Sequence, residues 1–460
     1  MRPFAIIPLL FLTSVASAQL VWEKPLAPGL VYREEVDRAA PRVIHAFRIT
    51  PGSPALRVAP EPTGGAVNEA ANAPTGRATV GATAAKSGAL AAVNGDFFVD
   101  QPTGWNGHSL GLMVRGGELL SAPNPKRAVF AWGPGEFVFG KAEFQGTLRI
   151  DGGAPLKLSG VNRAPAANEA VINMPVAGQA IAPEGSLTVI LKFDGTLSPT
   201  CTVTGTVELV SDEKTAWNVD PGKAIIVARG TRAEAVRGLK PGDRVAVEVR
   251  TKGFDWEKLD AAVGGGPMLV EEGETAIDAE DEGFNLSAFV AARHPRTAIG
   301  RTADGDLWLV VVDGRSPLSL GASLPELAAI MRRLGCVEAM NLDGGGSTAM
   351  AAMGITLNRP SDGHERSVAN TVLVRGSAPT PVFGPLHLVV PAKVRDGEIV
   401  DAKVLDAKGR SVPNARILWV ASGALWMDQG GRLKVIAAGQ GIVQAAVDGQ
   451  VLTAKVTVRK

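Results

Sequence analysis

The chain has 460 residues, 45 % of them apolar and 20 % charged, with a formal net charge of +1 at pH 7. That length suits about two to four globular domains. A near-neutral chain has no bulk attraction to nucleic acid or to an anionic membrane surface, so any anion recognition must be local.

Residues 1–18 read as a signal peptide, with Arg2 as the basic start, an apolar stretch Phe4 to Leu12 and a small-x-small cleavage site at Ala16-Ser17-Ala18. The apolar run is shorter than the roughly 20 residues a membrane span needs. The expectation is a secreted, periplasmic or cell-envelope protein with no transmembrane anchor. The only cysteines are Cys201 and Cys336. Export permits a disulfide, but two cysteines this far apart make no framework, and the sequence leaves open whether they pair.

After a lead-in over residues 19 to about 40, Val43 to Val58 holds strand-like runs. Ala78 to Ser87 can form a helix stopped by Gly88, followed by a short apolar strand, Ala89 to Asn94, and Asn94-Gly95-Asp96-Phe97-Phe98. From about 127 to 254 short alternating runs recur between Gly, Pro and Asp turns, which reads as a β-rich insert. The core resumes near Asp260 with Gly264-Gly265-Gly266-Pro267. Thr297 to Arg301 and Leu307 to Asp313 form a hairpin around Asp304-Gly305. Ser323 and Glu326 then make a capping box for a helix ended by Gly335. A strand, Val337 to Leu342, delivers Asp343-Gly344-Gly345-Gly346-Ser347. Residues 377–382 read as a linker, and 383–460 as short strands suited to a small β-sandwich that resembles bacterial immunoglobulin-like domains. The fold class expected is α+β: a mixed sheet-and-helix catalytic core (about 40–126 and 255–376) interrupted by the β-rich insert.

The two halves of that core share a pattern of helix, Gly stop, short apolar strand, then Asn with Asp two residues later. Asn94-x-Asp96 and Asn341-x-Asp343 occupy matching places, so two strand ends are expected to converge on one site. Three glycines after an apolar strand allow backbone N–H groups to form an anion nest, although a tight turn has the same composition. Asn341, Asp343 and Ser347 around them favour a site. Arg296 has the side chain to pair bidentately with a phosphate, although a solvated charge is the default reading of an exposed arginine. Asp313 ends a very apolar strand, where a site carboxylate and a plain Asp-Gly turn are equally good readings. Asn370 interrupts the strand Val368 to Val374 and needs a partner if buried.

The ordered set Asn94-Gly95-Asp96-Phe97-Phe98, Gly264 to Pro267, Arg293 to Gly300, Asp313-Gly314-Arg315, Leu324 to Gly335, Asn341 to Ser347 and Arg366-x-x-x-Asn370 resembles the phosphodiester glycosidase family over roughly residues 40 to 376. The domain so delimited is 19–376. The resemblance implies a secreted hydrolase that cleaves the glycosidic bond of a sugar-1-phosphodiester, releasing free sugar and a phosphomonoester. It leaves sugar and aglycone open; a cell-envelope glycopolymer is one candidate substrate.

On that reading Arg296 and the Gly344, Gly345 and Gly346 N–H groups hold the phosphate. One of Asp96 and Asp343 acts at the anomeric carbon, and the other holds a sugar hydroxyl, a metal or its partner's orientation. Asn94, Asn341, Asn370 and Ser347 hydrogen-bond the ligand, with Asp313 as a further site carboxylate. The resemblance fixes no cofactor and leaves metal dependence open; a Ca²⁺ or Mg²⁺ ion is possible, and it is needed under the alternative of a metal-dependent phosphodiesterase using Asp96, Asp313 and Asp343. The non-catalytic alternative is a sugar-phosphate-binding envelope protein.

Overall fold

A computed structural model describes residues 19–50, 52–53, 56–67, 76–100, 107–193, 195–284, 286–377, 380 and 382–459. The expected signal peptide and positions 378, 379 and 381 of the expected linker lie outside them. No helix among the described residues is long and apolar enough to cross a membrane.

The α+β expectation is corrected: the fold is predominantly β. The α-helices among the described residues are Val80–Ser87, Thr231–Val236 and Leu324–Arg333, and the rest of the framework is mostly antiparallel sheet, with parallel pairs at Gly160–Val161 beside Ala170–Asn173 and at Lys393–Arg395 beside Gln450–Arg459. The physical reason lies in how the apolar runs are buried. Leu307–Val312 is buried at every position. Its Leu307, Leu309 and Val311 enter one core together with Phe47, Val93, Phe130 and Val372. Its Trp308, Val310 and Val312 enter another with Leu324, Leu327, Ala328 and Met331 of the third helix. An uninterrupted apolar run usually signals a parallel sheet under two helical layers. Here one helix covers one face and other sheets cover the opposite face.

The sheet that contains this strand has eight strands, running in order from Gln19–Ala27 through Leu30–Asp37, Arg42–Ile49, Leu307–Val312, Arg296–Thr302, Cys336–Asn341 and Met268–Glu271 to Glu274–Thr275. Against it pack two five-stranded sheets. One holds Ala91–Asn94 between Met350–Ala352 and Asn370–Arg375. The other holds Ala261–Gly264 between Met113–Arg115 and Ala128–Gly133. That second sheet is apolar on both faces. Phe130 and Trp132 face the first core, while Val129 and Ala131 face a further core shared with Leu148, Val189 and Val247 of a second eight-stranded sheet. The β-rich segment is therefore packed continuously onto the rest.

Both sequence-expected helices form with their stops. Thr79 caps Val80–Ser87, and Gly88 follows at φ 65°. Ser323 accepts from the Glu326 N–H while Glu326 accepts from the Ser323 N–H at 2.9 Å. Glu326 also receives Arg42 and Arg293, which explains why its carboxyl is held down at about 2, chiefly by the Arg293 hydrogen bonds. Cys201 and Cys336 are both free. Cys336 is buried, which pushes its thiol up to about 12.

The C-terminal strands build a core of their own around Trp419, Leu425, Leu433 and Val443. They also dock onto the first sheet. Gln429 N–H donates to Glu34 at 3.0 Å, Lys24 donates to the carbonyls of Asn414 and Ile417, and Arg359 donates to those of Gly423 and Leu425. Leu418 and Ala446 complete the apolar contact.

The capping box gives a direct test. Ser323→Ala should lower unfolding free energy by about 1 kcal/mol in urea titration. Glu326→Ala should cost more, because it also releases Arg42 and Arg293. Equal costs would show that the two arginines contribute nothing.

Candidate functional site

The two Asn-x-Asp segments leave different sheets and meet at their ends. Ala91–Asn94 belongs to a five-stranded sheet and Cys336–Asn341 to the first eight-stranded one. Asp343 N–H donates to Gly95 O at 3.0 Å, and Leu342 N–H to Thr297 O at 2.9 Å. Asn94 locks the junction. Its amide donates to Asp343 O at 2.6 Å and accepts from Thr297 Oγ1 at 2.7 Å and Ala349 N at 3.1 Å. Asn94 is thus a buried brace between three segments.

The two aspartates sit in unlike surroundings. Asp96 is 2 % exposed. Its carboxylate takes Phe97 N–H at 2.8 Å and the Ser109 hydroxyl at 3.0 Å, and it lies against Gly264 and Gly111, whose lack of a side chain makes room for it. Asn370 accepts the Asp96 N–H at 2.6 Å and donates back to its carbonyl and to Ser109. Burial pushes the Asp96 carboxyl up to about 6, against the opposing charge of Arg127 and these hydrogen bonds. Asp343 is less buried. Its carboxylate takes Gly344 N–H at 2.8 Å and the Ser347 hydroxyl. It too is raised to about 6, first by desolvation; Ser347, Gly344 and Arg366 oppose this, and Asp100 adds to it. The backbones converge, and the two carboxylates share no hydrogen-bond partner among the described residues.

The glycine run does not form the expected nest. Gly344 N–H is taken by Asp343, and Gly345 N–H donates to Pro295 O at 2.9 Å. What the glycines provide is close approach. A side chain at Gly346 would collide with Arg366 and Asp362, and a Cβ at Gly345 would lie 3.1 Å from Arg315 Nη2. Gly345 also has φ 62°, which disfavours any L side chain. Two partly exposed guanidinium groups therefore rest on the glycines. Arg366 is paired with Asp362 at 2.7 Å, and Arg315 donates to Ser361 at 3.3 Å.

Arg296 is placed otherwise than expected. It is 1 % exposed, and its guanidinium donates to the carbonyls of Ala322, Phe289 and Ala292. It lies over the Phe289 ring at 5.0 Å, and burial lowers it to about 10. It holds the Leu286–Ala291 turn in place and makes no hydrogen bond to the glycine loop. Asn341 is fully buried, with its amide donating to Gly266 O and Leu342 O and its Oδ1 unpartnered.

Asp313 stands apart from both aspartates. Its carboxylate accepts from Arg359 N at 3.0 Å, Asn358 at 3.3 Å and His45 at 3.4 Å. His45 in turn contacts Tyr32 at 2.8 Å. Asn358 also donates to Thr348 O and accepts Met350 N–H, so Asp313 braces the strand that follows the glycine loop. Among the described residues no three His, Cys, Asp or Glu side chains gather as a metal site would require.

An aromatic wall absent from the sequence reading joins these parts. Phe97, next to Asp96, lies 5.5 Å from Phe284 and 6.0 Å from Phe289, and the latter two stack at 4.7 Å. Arg127 covers the Phe97 and Phe284 rings at 5.2 and 4.7 Å. Glu282 brings the two segments together by accepting the N–H groups of Ala128 at 2.8 Å and Met268 at 3.0 Å. Aromatic residues five apart in an otherwise small-residue stretch were the available signal for Phe284 and Phe289; Arg127 follows a Pro- and Asn-rich loop and carries none.

Comparison with known proteins bears on this arrangement. Residues 201–375 match the family model described as phosphodiester glycosidase. This span contains Arg296, Asp313, Arg315, Asn341 to Ser347, Arg366 and Asn370, while Asn94, Asp96 and Arg127 precede it. An uncharacterized SPbeta prophage-derived protein of Bacillus subtilis is 43 % identical over 82 residues, 18 % of this chain and 13 % of that protein. The N-acetylglucosamine-1-phosphodiester alpha-N-acetylglucosaminidase of Mus musculus is 35 % identical over 98 residues, 21 % of this chain and 19 % of the mouse enzyme. The chain thus spans less than a fifth of either relative's length. The solved structure of a hypothetical protein from Synechocystis shares the fold, with a TM-score of 0.65 at 23 % identity, over 78 % of this chain and 64 % of that one. Over residues 201–375, then, the chain is similar to the phosphodiester glycosidase family.

Proposed function

We propose that the protein hydrolyses the glycosidic bond of a sugar-1-phosphodiester, with Asp343 acting at the anomeric carbon. The observation that carries this reading is the placing of the half-buried residue Asp343 and two guanidinium groups on one glycine loop: Asp343 on its rim, Arg315 and Arg366 against Gly345 and Gly346. The family match over the same segment, and the curated glycosidases among the relatives, support it. Export to the cell envelope remains part of the proposal, from the sequence of residues 1–18.

The bond to be broken joins the anomeric carbon to a phosphate oxygen. Asp343, ionised, attacks that carbon or takes a proton from the water that does. The electron pair of the breaking C–O bond leaves with the phosphate. The phosphate leaves as the anion of a phosphomonoester, so charge stabilisation matters more than protonation; Arg366 and Arg315 supply it. Ser347 and Gly344 orient Asp343. Asp96, sealed below the loop by Asn370 and Ser109, holds the Asn94–Phe97 segment in register. The Phe97, Phe284 and Phe289 rings offer an apolar surface to a sugar face. The metal-dependent alternative is not favoured, because Asp96, Asp313 and Asp343 do not assemble a ligand set.

Hydrolysis in ¹⁸O-water is expected to label the sugar; label in the phosphate would replace this reading with a phosphodiesterase. Asp343→Asn keeps an acceptor for Gly344 N–H and gains a donor toward Ser347, so it should fold while losing roughly 10²-fold or more in kcat.

The pH dependence follows from the raised Asp343 carboxyl. kcat/KM is expected to rise with pH through about 6 and then level off, because no protonated acid is required. A falling limb between pH 6 and 8 would overturn the unassisted departure of the phosphate. For stability the sign is opposite. A carboxyl raised from 3.8 to about 6 contributes fully below 3.8 and loses that contribution as pH rises through 6. Asp343→Asn should therefore melt no lower than the parent protein at pH 7–8, by thermal denaturation.

A further inference from the structure

Arg127 presents a charge that the fold does not neutralise. Its Nε and Nη1 are buried without any hydrogen-bond partner. A buried donor left unmade carries the full cost of its desolvation, and a charged one more than a neutral one. Among the described residues the side chain forms no ion pair; the Asp96 carboxylate feels its charge without touching it, since Ser109, Phe97 and Gly111 occupy that carboxylate instead. Two phenylalanine rings fix the guanidinium plane, at 5.2 and 4.7 Å. Nη2, neither buried nor bonded, is the nitrogen that solvent reaches. Stacking on the two rings satisfies none of its N–H donors. A group held this way is prepared for a ligand rather than for its own fold.

Its position narrows what that ligand is. Arg127 lies at one end of the aromatic wall. At the other end Phe289 meets Arg296, whose Cα and Cδ lie 3.9 Å from where a Gly344 Cβ would stand. The wall thus runs from Arg127 to the glycine loop. A molecule lying along it with its phosphodiester at Arg315 and Arg366 would bring a different part of itself to Arg127.

We propose that Arg127 is a second oxyanion-recognition point, taking a phosphate or carboxylate group of the substrate remote from the scissile bond. The substrates selected would carry two negative charges: a sugar-1-phosphodiester bearing a further phosphate, or one with a ring carboxylate. This rests on the hydrolase reading for the direction of the wall, but the binding step stands without turnover.

The test uses the full chain with Arg127→Gln and Arg127→Met, whose side chains still pack between the rings. Binding of inorganic phosphate and of glucuronate is measured calorimetrically alongside melting temperature. The parent protein should bind at least one of the two anions. Both variants should lose at least one site, or about tenfold in affinity for it, with no fall in melting temperature. Loss confined to phosphate identifies a second phosphate, and loss confined to glucuronate a ring carboxylate. Binding unchanged in either folded variant, or no anion binding by the parent protein, overturns the proposal. A lowered melting temperature in both variants with unchanged anion binding would make Arg127 a packing residue. Turnover of a singly charged sugar-1-phosphodiester, assayed separately, tests the hydrolase reading: its absence alongside intact Arg127-dependent binding would sink that reading and leave this one.

Discussion

The amide of Asn94 is the constraint on which the site depends. It donates to Asp343 O and accepts from Thr297 and Ala349, so it joins its own strand to the Arg296–Thr302 strand and to both ends of the glycine loop. Buried amides are stable only when their donors and acceptors are met, and here the partners are the elements that must be held in register. Without this brace the Gly95–Asp343 bridge would lose its geometry, and with it the placement of the glycine loop over Pro295. The rigidity of the rim comes from a polar knot between sheets rather than from apolar packing.

Much of the path to the site was legible. The capped helix, its glycine stop and the following strand are written in local residue chemistry, and Ser323, Glu326 and Gly335 behave as such signals imply. The convergence of the two Asn-x-Asp segments was also readable, because the repeated pattern is itself a statement about topology. The fold class was not. Short apolar strands read alike whether helices or sheets cover them, and only the alternating burial of Leu307–Val312 between two cores distinguishes the cases. Arg296 shows a second limit. A sequence identifies an arginine suited to phosphate, but not that carbonyls of a neighbouring turn will claim it first. The glycines show a third. Triple glycine permits a nest and permits close approach equally, and the partners of Gly344 and Gly345 N–H decide between them.

Asp313 and the C-terminal strands belong to one buried polar layer. Glu34 is raised to about 7 by burial, and Lys24 is lowered to about 7 by the same cause, while His45 lies between Tyr32 and Asp313. Ionisable groups at such a junction are costly to bury, yet Glu34 and Lys24 are met by backbone partners from across the seam and His45 by Tyr32 and Asp313 on its own side. Asn358 and Arg359 then connect this layer to the strand after the glycine loop. The C-terminal strands therefore share a boundary with the support of the site, a closer relation than a linker-joined module would have.

Asn94-Gly95 is the dipeptide most prone to spontaneous deamidation, in which the backbone nitrogen after an asparagine attacks its side-chain carbonyl and closes a succinimide. In the folded protein Gly95 N–H is tied to Asn370 O at 3.0 Å, and the Asn94 amide is held on both its nitrogen and its oxygen. Neither reactant can turn toward the other. The same bonds that align the rim thus protect it from chemical ageing. Conversion of Asn94 to aspartate or isoaspartate in stored protein would measure how often this region opens, a clock set by local unfolding.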